Sequence, residues 1–168
     1  MADGVSALID RLPSLLSPNH DKIFDTWMVA GVSLGAHAAW LAIDRDPRLS
    51  VCIPVIGSPD FLDIATQRTP GLPLVSSYMS SSIRSYIIKN DPVSRKRNSQ
   101  EFTNKHVLAL AGAQDGIIPL LPTRAFLDRI DVGPTGSKRL VIQQGVGHQC
   151  TREMVREMAE LVWKVALA

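Results

Sequence analysis

The spacing of apolar and polar positions divides the chain into helical and extended segments. Val5, Leu8, Ile9, Leu12, Leu15 and Leu16 recur at helical spacing, which predicts an amphipathic helix over 5–16 that stops by Ser17 and Pro18. Pro13 lies inside this stripe and has no N–H to give, so it kinks the helix or ends it early. TWMVAGV, 26–32, is short and β-prone, as expected of a strand buried on both faces. An alanine-rich helix follows over 34–44 and ends by Asp44 to Pro47. LSVCIPVIG, 49–57, is a second extended run, in which Pro54 removes a ladder donor and belongs at a bulge or near the strand's end.

Residues 58–104 lose this regularity. Pro59, Pro70 and Pro73, the serines at 80–82 and several short apolar pieces predict short helices and loops. The pattern resumes with a strand at 106–112, HVLALAG, and a helix at 122–130, with Pro122 in its first turn. A last strand follows at 138–144, KRLVIQQ. Thr151 is placed to cap a final helix, with Glu153 adding favourable charge to its first turn. Met154, Val155, Met158, Leu161, Val162 and Val165 form the apolar stripe of that helix. Largely apolar strands alternating with helices indicate an α/β protein, with a parallel sheet covered on both faces. One domain over 1–168 is expected, with 58–104 as an irregular insert.

Composition narrows the function classes. Net charge is +2, too small for a field that recruits nucleic acid or a membrane surface, and the basic cluster Arg95, Lys96, Arg97 reads as a solvated segment. Cys52 lies in an apolar run and reads as a small buried hydrophobe. Neither it nor Cys150 has metal-type spacing. The first residues, MADGVSALIDRL, lack the basic and then apolar organisation of a secretory signal. No apolar stretch approaches the length of about 18 residues that spans a bilayer. A cytoplasmic protein is the expectation. No dinucleotide fingerprint, phosphate-binding loop or metal-ligand cluster is present.

GVSLG, 31–35, sits where a strand ends and a helix begins, so Ser33 projects above the sheet edge. Gly31 and Gly35 are expected to leave room where strand and helix nearly collide. The helix N-terminus offers N–H groups, that of Leu34 first, to a developing oxyanion. A serine hydroxyl needs a base. Of the four histidines, His20 lies in a polar loop, His37 reads as a helix-face residue, and His106 opens a strand at the far end. His148 follows a strand in the loop QGVGHQC, at the C-terminal sheet edge where ligands bind. Asp115, in AGAQDGIIP, follows another strand on the same edge and suits a group that orients the imidazole.

The chain order Ser33, Asp115, His148 and the three loops resemble those of the α/β-hydrolase superfamily. GVSLG is similar to its nucleophile elbow, AGAQDGIIP to its acid loop and GVGH, 145–148, to its histidine loop. Within the superfamily the chain looks most like the dienelactone hydrolase and prolyl oligopeptidase-like group. The resemblance implies a partial α/β-hydrolase fold, a mostly parallel sheet flanked by helices that lacks the N-terminal strands. It also implies a serine hydrolase acting on a carboxylic ester or thioester, with Ser33 as nucleophile, His148 as base, Asp115 as acid and Leu34 as oxyanion donor. Such chemistry takes a small-molecule acyl substrate and needs no cofactor, metal, nucleic acid or membrane.

By the same resemblance the insert falls where a cap covers the pocket. Phe61, Leu62, Tyr78, Ile83, Tyr86 and Ile87 are its candidate acyl-site residues, most of them read as packing residues, and Asp60 reads as a helix cap. The family's second oxyanion donor comes from a loop after an early strand, whereas only 25 residues precede the first strand here. The elbow strand would then be an edge, which invites pairing and so a homodimer. Two readings stay open: an active serine hydrolase, and a catalytically inactive, truncated α/β-hydrolase-like binding or interaction protein.

Overall fold

Four apolar runs pair into one parallel sheet: β1 (Trp27–Val32), β2 (Leu49–Val55), β3 (His106–Gly112) and β4 (Ser137–Gln143), in that spatial order. The computed structural model describes residues 2–19, 21–67, 79–95 and 101–167. The central strands β2 and β3 carry the most continuous apolar runs and are the most buried, while β1 and β4 form the edges. The β2–β3 ladder pairs Val51 with His106, Cys52 with Val107 and Val55 with Leu110. It is interrupted at Ile53 and Pro54, where proline has no N–H to donate. β2 stops at Val55 rather than reaching Gly57, because the chain turns at Ile56, whose φ is 47°.

The predicted helices form with small shifts. α1 (Ala2–Leu16) runs through Pro13 and begins three residues before the apolar stripe, and the Ser17 N–H donates to the Pro13 carbonyl at 2.9 Å. α2 (Leu34–Arg45) follows β1 directly. In the insert, α3 (Phe61–Gln67) and α4 (Ser81–Asn90) are the described helices. Asp60 caps α3 as expected, its Oδ1 accepting the Asp63 N–H at 2.8 Å. α5 (Leu120–Arg129) links β3 to β4 and keeps Pro122 in its first turn. Thr151 caps α6 (Arg152–Val162), accepting the Met154 N–H at 3.1 Å, and the chain continues in a π-helical turn, Trp163–Leu167.

The two faces of the sheet bury separate clusters. On one, Trp40 and Ile43 of α2, Ile9 of α1 and Phe126 of α5 pack against Cys52, Val107 and Ala109. Trp40 meets Phe126 edge to face, with ring centroids 5.2 Å apart. On the other, Met154, Met158, Leu161 and Val162 cover Val51, Ile53, Val55, Leu108 and Leu110. Lys105, also buried, reaches across to the C-terminal end of α2 and donates from Nζ to the carbonyls of Ile43 (2.9 Å) and Asp46 (3.2 Å). Burial holds its ammonium below the usual range, an effect partly offset by Asp44 and Asp46.

Two expectations are corrected here. β1 is not buried on both faces, because as an edge strand it leaves Ala30 and Val32 exposed. Arg95 is not a freely solvated charge: it is half-buried and paired with Asp44 at 3.2 Å and Glu101 at 3.0 Å, tying the insert to α2. Lys96 and Arg97 lie outside the described residues. Among the described residues no helix is long and apolar enough to cross a membrane.

Candidate active site

Three strand ends build the site. At the end of β1, Ser33 takes φ 55° and ψ −114°, a conformation that costs a non-glycine residue about 1–3 kcal/mol. It is held there by its N–H on the Val55 carbonyl at 2.9 Å and by its own carbonyl, which accepts the Ala36 N–H at 3.0 Å. This turn lifts the hydroxyl off the sheet and starts α2 at once. Leu34 is the first helical residue, so its N–H has no acceptor within the helix.

The two glycines of GVSLG are not equivalent, which corrects the sequence reading. A Cβ on Gly31 would lie 2.0 Å from the Gly35 carbonyl oxygen, whereas one on Gly35 would meet nothing within 4 Å. Three other glycines carry a similar constraint, and the two of them that border the site were missed. A Cβ on Gly57 would strike the Ala36 Cβ at 2.3 Å, and one on Gly112 would strike the Val146 carbonyl oxygen at 2.3 Å. A visible signal was there: Gly57 closely follows an apolar run and Gly112 ends one.

Gly112 lets the loop after β4 lie against the end of β3. The Gln114 N–H donates to the Val146 carbonyl at 2.9 Å, and the Ala113 N–H to that of Gln143 at 2.9 Å. Those bonds bring Asp115 to His148. Asp115 Oδ2 is 2.8 Å from His148 Nδ1, and its Oδ1 accepts the N–H groups of Ile117 (2.9 Å) and Ile118 (3.0 Å). The carboxylate, with a side chain only 4% exposed, is therefore fully oriented. His148 Nε2 lies 2.8 Å from Ser33 Oγ. Because the Asp115 carboxylate accepts, Nδ1 carries the hydrogen, and the Nε2 lone pair faces the serine hydroxyl. Ser33, His148 and Asp115, selected from the sequence by their loops, thus form one hydrogen-bonded series.

The remaining histidines separate clearly. His20 lies outside the described residues. His106 Nδ1 contacts Ser137 Oγ at 2.9 Å, but at the N-terminal ends of β3 and β4, away from the elbow. Burial, with Lys164 nearby, holds this imidazole below its usual pKa, and that cation is the opposite of the carboxylate a catalytic histidine needs. His37 is not an ordinary helix-face residue. It is buried, with Nδ1 2.9 Å from the Ser58 carbonyl and Nε2 3.5 Å from Asp91 Oδ1. The Ser58 carbonyl only accepts, so Nδ1 donates to it. Burial raises the Asp91 carboxyl above the usual range, and His37 pulls it back.

Beside Ser33 lies a cavity of about 160 Å³, lined by Ser33, Leu34, His37, Phe61, Ile64 and Ile118. Of the insert residues proposed from sequence, only Phe61 borders it. Tyr86 and Ile87 line a neighbouring cavity, Ile83 is exposed, Leu62 is half-buried, and Tyr78 lies outside the described residues. Ile64 and Ile118 carried no sequence signal that set them apart from packing residues.

No protein-family model matches the chain, and no curated protein does. Solved structures do. TT1662 from Thermus thermophilus superposes with a TM-score of 0.61 at 22% identity, over 84% of this chain and 55% of its own. Esterase PE8 gives 0.55 at 18% identity, over 98% and 61%. A puromycin-hydrolyzing peptidase of Mycobacterium tuberculosis gives 0.68 at 16% identity, over 98% and 24%. The chain thus spans less than two thirds of each of these proteins. At these identities the likeness concerns the fold: a four-stranded parallel sheet flanked by helices, forming part of an α/β-hydrolase core.

Proposed function

We propose that this chain carries the chemistry of a serine hydrolase acting on a carboxylic ester or thioester. The observation behind this reading is the hydrogen-bonded series from Ser33 Oγ through His148 to Asp115, with 2.8 Å at each link. Ser33 Oγ attacks the acyl carbon while its proton passes to His148 Nε2. Asp115 stabilises the imidazolium and fixes its ring. The Leu34 N–H donates to the oxyanion, aided by the positive end of α2. Collapse of the tetrahedral adduct breaks the bond to the leaving group, which takes the proton from Nε2 as an alcohol or thiol. Water, deprotonated by the same nitrogen, then releases the acid and restores Ser33. The insert 58–104 serves as the cap of this single domain, with Phe61 and Ile64 from α3 facing the nucleophile's cavity. Within the superfamily we place the chain near the dienelactone hydrolase and prolyl oligopeptidase-like group. The puromycin-hydrolyzing peptidase and one structure from a study of prolyl endopeptidases, both among the similar structures, support that placement.

The competing reading is a binding protein that keeps the three residues without turnover. The position of β1 at the sheet edge favours it, and that edge also suits a second copy of the chain. A fluorophosphonate probe separates the two. Attack by Ser33 on phosphorus expels fluoride, and peptide mass spectrometry locates the adduct. Labelling of Ser33 in the folded chain, absent from Ser33→Ala, is the expected result. A well-folded chain that takes no label would overturn the hydrolase reading.

A further inference from the structure

We propose that the cavity beside Ser33 is an acyl pocket sized for short apolar or single-ring acyl groups, and that His37 and Asp91 form a positioning pair that fixes its wall. The proposal rests on Ser33 being the nucleophile. The cavity holds about 160 Å³, and four of its six lining residues, Leu34, Phe61, Ile64 and Ile118, are apolar. An apolar cavity of roughly 150 Å³ takes up benzene. A butyryl, hexanoyl or benzoyl group therefore fits, whereas a decanoyl chain reaches the rim or displaces the wall.

The wall is held from behind. Phe61 and Ile64 belong to α3, a helix of only two turns. Asp91, which follows α4, reaches back to its start: Oδ2 accepts the Phe61 N–H at 2.8 Å and the Leu62 N–H at 3.4 Å. Its other oxygen faces His37 Nε2 at 3.5 Å. The His37 ring in turn lies against Phe61, with centroids 5.3 Å apart, and its Nδ1 is tied to Ser58. Three segments, α2, the start of α3 and the end of α4, therefore meet at one buried pair. Asp91 does not line the cavity, and His37 borders it with its ring nitrogens turned to Ser58 and Asp91. Both fix where Phe61 stands, and so how deep the pocket is.

The test uses the full chain. kcat/KM is measured for p-nitrophenyl esters from acetyl to decanoyl, and fluorine NMR follows fluorobenzene binding to Ser33→Ala. The expected profile falls about tenfold or more beyond hexanoyl, the scale on which apolar pockets discriminate chain length. Fluorobenzene is expected to bind, and Ile64→Trp to abolish binding by filling the space. In Asp91→Asn the decanoyl-to-butyryl ratio of kcat/KM is expected to rise about fivefold or more, mainly through KM for decanoyl. Should Asp91→Asn not fold, Asp91→Ser gives the same readout, since its short side chain cannot bridge the Phe61 N–H and His37 and does not line the cavity. A uniform loss across all esters in either variant would overturn the positioning role. A profile flat to decanoyl, or no fluorobenzene binding to folded Ser33→Ala, would overturn the pocket. If fluorobenzene binds and Ile64→Trp abolishes it while no ester is turned over, the nucleophile reading falls and the cavity stands as an apolar ligand site.

Discussion

Gly31→Ala is the substitution on which the geometry of the elbow bears most directly. A Cβ there would sit 2.0 Å from the Gly35 oxygen, 2.2 Å from the Gly35 carbonyl carbon and 2.8 Å from the Ala36 nitrogen. All three are backbone atoms, so no side chain can rotate away. The least separation a Cβ tolerates is 3.0 Å, so the end of β1 and the first turn of α2 must part by about 1 Å. Ser33 lies between them, and its hydroxyl moves with them. Displacement of that size costs roughly a hundredfold in rate when a nucleophile depends on alignment. The same strain costs about 1–3 kcal/mol of stability, which a domain of typical stability survives. Gly35→Ala is the matched control, four residues away in the same turn with nothing within 4 Å of its added carbon. It should label at close to the wild-type rate and gain up to about 1 kcal/mol from better helix propensity. The assay is the second-order rate of fluorophosphonate labelling, with thermal unfolding by circular dichroism run in parallel. Equal labelling of Gly31→Ala and wild type, or equal damage from both alanines, would refute the steric account of the elbow.

Three further outcomes are expected. Asp115→Asn keeps the shape of the side chain but removes the charge that stabilises the imidazolium, so kcat should fall by about 10⁴-fold with little change in KM, measured on a butyryl ester. Asp46 accepts from the backbone and guanidinium of Arg48, which holds its carboxyl well below the usual 3.8 against the opposing effect of burial. A carboxyl depressed on folding contributes stability above its unfolded value and loses it as pH falls below that value. Urea unfolding should therefore find Asp46→Asn less stable than wild type at pH 7, with the difference shrinking below pH 3.8. Burial pushes the Cys52 thiol far above its usual pKa while Cys150 is exposed, so a thiol reagent should modify Cys150 alone in the native chain and both after denaturation.

Much of the fold is legible along the chain because it is local. Apolar runs with a glycine at or next to their end mark β1 and β3, and a near-continuous apolar run marks β2. The helical stripe and Thr151 fix α6, and Ser33, Asp115 and His148 each follow a strand. In a parallel sheet the C-terminal strand ends share one edge, so strand assignment alone places those three residues together. The small errors fall where local pattern is weakest. Pro13 does not stop α1, because packing of Ile9 and Ala2 on α2 outweighs one missing hydrogen bond. β2 ends early because the chain must turn at Ile56.

What only the tertiary structure decided are the relations between segments distant in sequence. Gly31 and Gly35 look alike in GVSLG, and only the approach of the helix to the strand end separates them. His37 and Asp91 carry no joint signal, yet folding the insert onto α2 buries them together. Phe61, Ile64 and Ile118 come from two separate segments, and their shared cavity exists only once α3 and the Asp115 loop close over Ser33. Periodicity reports which face of an element turns inward, because one chain segment sets it. Which inward-facing side chains then meet depends on how the elements pack, and no single segment encodes that.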